Sequence, residues 1–434
     1  MKGIYLKRIV GGFVILAIIF GSIFLLDFCY VLDDDWSRIM WHSFYSQEEN
    51  IDHVYIGASH VYTGLDPLAM DELNGGNNFN LSTPNQSLES SYYCLREADR
   101  LNELSHVYVE LGYMTSTLNS YKEETVITNT WRVTDYMKPS WNKVDAVMKM
   151  NTVDYLFDAV FPFLRYREHA ADIQWIKERV AYKQGDSYKN YQYYDSGYGA
   201  YYEPKGDWST TTVLSNLLQH IPRQPEEMVM TEDAQRYLKK IILYCRERDI
   251  GLTLFVSPVY ELHVYATENY DGFYNSVKEI ADEYHVPFYD FNLVKESVLD
   301  IQHKENFMNL NHMNNTGSAL FTEVFFNIVN ASPEDNDGCF YGSYAEKMSE
   351  TDPAVYGIYF KETTSDAYLY KIASNRTGNI EYQISFYPLE GDGYIGQDFS
   401  ENALFYLPVG WSGTVVVTWR LAGTDTEEVL AVSL

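Results

Sequence analysis

The sequence predicts an α/β protein. A doubly wound parallel sheet carries a large insertion, an all-β sandwich follows it, and a membrane-spanning helix precedes it. Three observations carry that expectation. Between residues 53 and 330 short apolar runs alternate with amphipathic helical segments, the pattern of βαβ units. Beyond residue 339 the apolar period shortens to two, with turn signals between the runs. Residues 9–26 (IVGGFVILAIIFGSIFLL) contain no charged side chain.

The uncharged run is close to the roughly 20 residues needed to cross a ~30 Å hydrocarbon core. Lys2, Lys7 and Arg8 precede it, and Asp27, Asp33, Asp34 and Asp35 follow it. By the positive-inside rule, residues 1–30 are a cytoplasmic tip and anchor, and the bulk of the chain is extracytoplasmic. A cleaved signal peptide fits less well, because LLDFCYVL has no small-residue cleavage site. Asp27 and Phe28 also stand where a lipoprotein signal before Cys29 wants small residues. Cys94, Cys245 and Cys339 are odd in number and widely spaced, and read as buried thiols of a bacterial cell-envelope protein. The sequons at Asn80, Asn85, Asn314, Asn330 and Asn375 are then incidental.

Residues 31–330 form the α/β unit. Strands are expected at 53–59, 79–82, 106–112, 252–258 and 286–291, with a helix at 90–104. Alternation then stops over 115–225, a Tyr- and Trp-rich insertion with helices at 152–163 and 168–183 and a polar, glycine-rich stretch at 193–207. Irregular segments of that length inside a domain are usually functional. Alternation resumes with a helix capped by Thr231 and running to about Arg248, and with helices at 272–285 and 316–330. ASPEDNDG (331–338) is a linker by composition. Six strands are expected in 339–434, at 355–361, 367–373, 380–388, 403–409, 414–421 and 427–434, which suits a sandwich.

Composition removes several functions. The chain has 61 acidic and 32 basic side chains, a formal charge of −29, which repels phosphates and excludes a nucleic-acid partner. Aromatic residues make up 16%, too many for a disordered chain, and 4 Cys are too few for a disulfide scaffold. No nucleotide-binding glycine motif and no metal-ligand spacing is present, so no cofactor is expected. The few basic residues near the motifs below argue against a phosphorylated substrate.

Ligand sites of open α/β sheets lie beyond the carboxyl ends of the strands. Ser59 stands there in Gly57-Ala58-Ser59-His60, where small residues permit a sharp turn and the following amides face outward. Taken alone, such a serine is most often a helix cap. His312, in Asn309-Leu310-Asn311-His312-Met313-Asn314, lies between the last strand and the last helix, on the same edge. A serine hydroxyl needs a base to become a nucleophile, and His312 is placed to be one. Glu110, at the end of the third strand, reads as a solvated or capping carboxylate, and Ser257-Pro258-Val259-Tyr260 as a further wall of the cleft.

With these residues the chain resembles the SGNH/GDSL hydrolase superfamily, whose fold is a flavodoxin-like three-layer parallel sheet. The resemblance covers about 50–330 without the insertion. It implies that Ser59 is the nucleophile, His312 the base, and Asn309 the residue that orients the base. The second motif of the family resembles Asn80-Leu81-Ser82-Thr83-Pro84-Asn85, which assigns Asn85 to the oxyanion hole, with the His60 amide and Gln86 as further donors. Two positions depart from the family. Glu110-Leu111-Gly112-Tyr113-Met114 lacks the asparagine of the third motif, and Asn309 replaces the aspartate of Asp-x-x-His, with Glu305 and Asp290 as other acids in reach of the sequence. The anchor, Gly-Ala-Ser-His and the insertion look closest to the envelope branch that includes DltD and the acetylation partners of alginate synthesis.

The expectation is therefore a membrane-anchored serine O-acyltransferase or esterase acting on cell-envelope polysaccharide. Its partners would be that polymer, an acyl donor and a membrane-bound O-acyltransferase. The alternative is a catalytically degenerate scaffold of the same fold that binds a polymer or recruits the acyltransferase. A secreted lipase fits less well, since no apolar lid helix stands out. The chain has 39 Tyr, six of them clustered as Tyr191, Tyr193, Tyr194, Tyr198, Tyr201 and Tyr202. They suit sugar rings, which stack on flat faces and bond to hydroxyls, and equally suit a plain role as β-formers and surface-tolerant aromatics.

Overall fold

The computed structural model describes residues 2–117, 124–220, 228–376 and 378–434. Five parallel strands form the central sheet: β1 (His53–Ile56), β2 (Asn78–Asn80), β3 (His106–Glu110), β4 (Gly251–Val256) and β5 (Phe288–Asp290). Their order is β2-β1-β3-β4-β5, a doubly wound order that reverses direction at β1 and β3. All five are the expected strands, shortened at their ends because the flanking residues form turns rather than ladder bonds.

Alternation along each strand decides which layer it feeds. Val54, Ile56, Val107, Val109, Leu254 and Val256 face a core built with helices Asp35–Tyr45, Leu88–Leu101, Glu232–Glu247 and Tyr270–Tyr284. Tyr55, Tyr108 and Phe255 face the other layer, where Phe321 and Phe325 of helix Asn315–Asn330 pack. Tyr55 stacks on Tyr108 at 4.8 Å, and Phe255 meets Phe325 at 4.8 Å. Each such fully buried side chain contributes roughly 1.5–3 kcal/mol relative to an exposed one.

The insertion holds more structure than its sequence suggested. Besides helices Val153–Val160 and Ile173–Gln184 it contains helices Glu124–Thr134 and Trp141–Met150. The glycine-rich stretch is a three-stranded antiparallel sheet, Tyr194–Asp195, Ala200–Glu203 and Asp207–Ser209. The loop carbonyl of Lys205 accepts from Asn80 N at 2.9 Å, which docks this sheet on β2.

The C-terminal strands make two antiparallel sheets: β6 (Val355–Thr363), β7 (Ala367–Ser374), β8 (Ile380–Pro388), β9 (Tyr394–Ser400), β10 (Leu404–Pro408), β11 (Gly413–Leu421) and β12 (Glu428–Ser433). β9 was not expected, because YIGQDFS lacks an alternating apolar face. Leu218–His220 of the insertion joins this region and pairs in parallel with β6. One hydrophobic cluster runs from Tyr55 and Phe325 through to Ile358, Ile384 and Val417, so the core continues past the turns at 331–338 without a break.

Helix Lys2–Tyr30 includes a stretch, Arg8–Tyr30, of 23 residues with mean hydropathy 2.8 in its most apolar window, long and apolar enough to cross a membrane. Cys94 and Cys245 are buried and unpaired, and burial pushes the Cys245 thiol up to about 12. Cys339 is only half-buried.

Candidate active site

β1 ends at Ile56, and Gly57-Ala58 turn the chain into the short helix Ser59–Gly64. The turn is tight enough to require glycine. A Cβ at residue 57 would lie 2.6 Å from Glu110 Cβ and 2.8 Å from Val61 Cγ2. Ser59 thus emerges beyond the carboxyl end of β1, partly exposed, with its Oγ free to face the next loop.

That loop is a small hairpin, Phe307–Asn309 against His312–Met313, whose register pairs Asn309 with His312 across a two-residue turn. The pairing sets both side chains on one side. Asn309 Oδ1 accepts from His312 Nδ1 at 3.1 Å and from its own turn amide, Asn311 N, at 3.1 Å. With Nδ1–H donated to Asn309, Nε2 carries the lone pair, and it accepts the Ser59 hydroxyl at 2.7 Å. Behind the hairpin, Asn314 Oδ1 caps the last helix by accepting from Thr316 N and Gly317 N, which fixes where His312 leaves the strand. Burial pushes His312 well below the usual imidazole range, and the charges of His60 and His263 would push it further. Ser59, His312 and Asn309 therefore form a Ser-His-Asn relay with a neutral base, an arrangement able to deprotonate the serine for attack on an acyl carbon.

No protein-family model matches this chain, and no curated protein matches it.

The remaining predicted residues divide. Asn85 lies on the wall of the cleft that holds Ser59 and His312, a cavity of about 190 Å³ also lined by Thr63 and Met308. It adopts a left-handed backbone, φ +52°, which an asparagine tolerates at small cost and which exposes it at the rim. Gln86 does not reach the cleft. Its Oε1 accepts from Thr83 N and Thr83 Oγ1 at 3.0 Å, and its Nε2 donates to Ser91 Oγ at 3.1 Å, so its amide is spent inside its own loop. The His60 side chain is also turned inward, to Glu110 Oε1 at 3.3 Å, which leaves only its backbone amide, in the first helical turn, for the cleft.

Of the two expectations for Glu110, solvated or capping, only the capping one fits, since its carboxylate meets the N–H of Ala58, the residue that starts helix Ser59–Gly64. Glu110 is buried, not solvated. Its carboxylate accepts from Ala58 N at 3.4 Å and contacts His60 Nδ1, so β3 holds the turn that carries Ser59. After it, Tyr113 is buried in the core. Ser257 and Val259 are buried beneath the site rather than lining it, and Tyr260 N donates to Leu310 O at 3.0 Å, which braces the hairpin. Asp290 is sealed with Tyr270 OH at 2.8 Å and Asn292 N at 3.0 Å, and burial raises it to about 7. Glu305 lies in the turn Lys304–Asn306 before the hairpin, and its backbone oxygen is the part that Asn314 uses.

The six clustered tyrosines divide between the site and a second cavity. Tyr198 lines the Ser59 cleft together with Tyr62 and Trp208. Tyr191, Tyr193, Tyr194, Tyr201 and Tyr202 line a second cavity of about 630 Å³, rimmed by Asp35, Gln192 and Glu203. Trp208 joins the two, 5.6 Å from Tyr62 and 5.4 Å from Tyr193.

Proposed function

We propose that the protein is a membrane-anchored, extracytoplasmic serine O-acyltransferase or esterase of the SGNH/GDSL type, acting on a cell-envelope polysaccharide. The observation that carries this reading is the 2.7 Å contact of Ser59 Oγ with His312 Nε2, backed by Asn309. Ser59 Oγ attacks the carbonyl of an acyl ester while its proton passes to His312 Nε2. The tetrahedral oxyanion takes hydrogen bonds from amides of the first helical turn and from Asn85. Collapse breaks the bond to the leaving alcohol, which receives the proton from His312, and leaves the acyl group on Ser59. A sugar hydroxyl (or water) then gives its proton to His312 Nε2 and attacks the acyl carbonyl. The Ser59 Oγ–acyl bond breaks, His312 returns the proton to Ser59 Oγ, and the acyl group leaves on the sugar (or as the free acid). No cofactor enters any step.

The strand order, the serine after β1 and the histidine before the last helix support the superfamily assignment. The uncharged run 9–26 of the N-terminal helix, with basic residues before it and acidic ones after it, supports a cytoplasmic tip and an outside catalytic unit. Tyrosine faces with carboxylate and amide rims suit a neutral sugar polymer, and a membrane-bound O-acyltransferase would supply the acyl group. One observation favours the scaffold alternative: Gln86 and Tyr113 bring no side-chain donor to the oxyanion, and a lost donor typically costs 10²–10³ in rate. Hydrolysis of p-nitrophenyl acetate decides between them. The enzyme reading expects turnover that disappears in Ser59→Ala with an unchanged circular-dichroism spectrum. Equal rates for the two proteins mean a scaffold.

A further inference from the structure

The insertion is fastened to the end of the apolar N-terminal helix. Phe163 N donates to Asp27 Oδ1 at 3.1 Å, Tyr30 OH to Ala170 O at 3.0 Å, and Trp175 Nε1 to Tyr30 O at 3.0 Å. These bonds hold residues 161–175 level with the outer end of that helix. Trp175, Tyr166 and Tyr30 lie together there, and such aromatic residues concentrate at membrane–water interfaces.

Next to this junction the helix Val153–Val160 shows an unusual surface. Ala159, Tyr155 and Leu156 pack inward with Trp131 and Val147. Val153 and Phe157 are 85% and 68% exposed, and Val160 extends the same stripe at positions i, i+4 and i+7. Ile173, 66% exposed, opens the neighbouring helix. Single exposed apolar residues are ordinary, but a continuous stripe beside a membrane span is not. The local charge is balanced: residues 153–184 carry five basic and five acidic side chains, and Arg165, Arg167 and Lys183 pair with Asp135, Asp158 and Asp33, so the segment escapes the acidic excess of a chain of net −29.

We infer that this part of the insertion is a second, monotopic membrane contact. The stripe of Val153, Phe157 and Val160 lies in the outer headgroup–acyl boundary of a phospholipid bilayer, beside the anchor. A helix that lays one apolar face into the headgroup–acyl boundary is the form that such interfacial segments take. The inference rests on the anchor reading. It adds that the catalytic unit does not swing on its tether. Only Val31–Asp34 separate the anchor from helix Asp35–Tyr45, and Trp36 of that helix meets Tyr62 at 4.2 Å, one turn beyond Ser59. At no more than about 3.5 Å per residue of linker, the Ser59 cleft is held near the bilayer, where an acyl donor carried in the membrane can reach it.

The test uses the full chain in phospholipid nanodiscs, with Cys29→Ser and Cys339→Ser as background. A bimane label is placed in turn at Phe157→Cys, Phe20→Cys and Leu101→Cys, the last at the opposite edge of the sheet, and brominated acyl chains are the quencher. An interfacial helix sits about 5–10 Å into the boundary, so emission should fall about twofold at 157 and at 20 and hardly change at 101. Quenching at 20 without quenching at 157 overturns the inference and leaves the anchor standing. A blue-shifted but unquenched label at 157 also overturns it, and points to a protein partner on that face. No quenching at 20 overturns the anchor reading and the inference with it.

Discussion

His312 sets the pH range in which the site can work. The base must be neutral, and burial with its two histidine neighbours holds it below 6.5. A lowered pKa keeps the imidazole unprotonated as the pH falls, so the acid limb of kcat/KM for ester hydrolysis should have its midpoint below 6.5. A midpoint at about 7 or above in a pH–rate profile would contradict this. Asn309 orients the ring without adding charge. Asn309→Asp should stabilise the imidazolium, raise the acid limb and increase kcat by about tenfold or more, since the reverse change in a triad costs ~10⁴. Steady-state kinetics on the two proteins reads both effects. Ser59 and His312 were legible because strand–helix alternation puts both beyond the carboxyl edge of one sheet, whereas Asn309 was legible only through the resemblance to a family motif. Which turn Glu110 caps was not legible, because nothing in HVYVELG tells that the elbow of β1 closes over its carboxylate. Gln86 was misread for a similar reason: its partners, Thr83 and Ser91, are local, and a sequence motif does not say which way an amide turns.

At the scale of elements, the β1 elbow and the Asn309–His312 hairpin are the two pieces that must be rigid. Gly57→Ala puts a methyl against Glu110 and Val61. The elbow has no room to yield, so the substitution should cost about 1–3 kcal/mol in urea denaturation and reduce ester turnover beyond what that loss of folded protein explains. A fully stable and active Gly57→Ala would show the turn to be looser than described. The five sheet strands were readable as short apolar runs. Helices Glu124–Thr134 and Trp141–Met150 were not, because the first buries the polar Thr130 and Thr134 and the second exposes Trp141, Val144 and Met148, which blurs the helical period in both. β9 carries too few apolar residues to announce itself, and it is held by its ladder with β8.

At the scale of the molecule, the insertion and the C-terminal sheets are integrated with the α/β unit. Helix Tyr344–Glu350 sends Lys347 inward to Glu261 Oε2 at 2.6 Å and Asn292 O at 2.7 Å, and both charged side chains are buried. Lys347→Met leaves Glu261 uncompensated and should cost about 3–5 kcal/mol by denaturant titration, much of it recovered in Lys347→Met with Glu261→Leu. If the single variant is as stable as wild type, the pair does not fasten the C-terminal region. A linker composition at 331–338 could not reveal this, because the contact joins residues 86 positions apart. The tyrosine-lined cavity belongs to the same scale. Tyr194→Ala with Tyr201→Ala should raise KM for the polymer several-fold while leaving p-nitrophenyl acetate hydrolysis unchanged. A matching loss on both substrates would make those rings structural.

The central claim is that His312 activates Ser59 as a nucleophile. Labelling the full chain with a fluorophosphonate and mapping the adduct by mass spectrometry tests it directly. The account predicts a single phosphonylated residue, Ser59, whose labelling rate falls at least about a hundredfold in His312→Ala. An unlabelled Ser59, or equal labelling in wild type and His312→Ala, would contradict it.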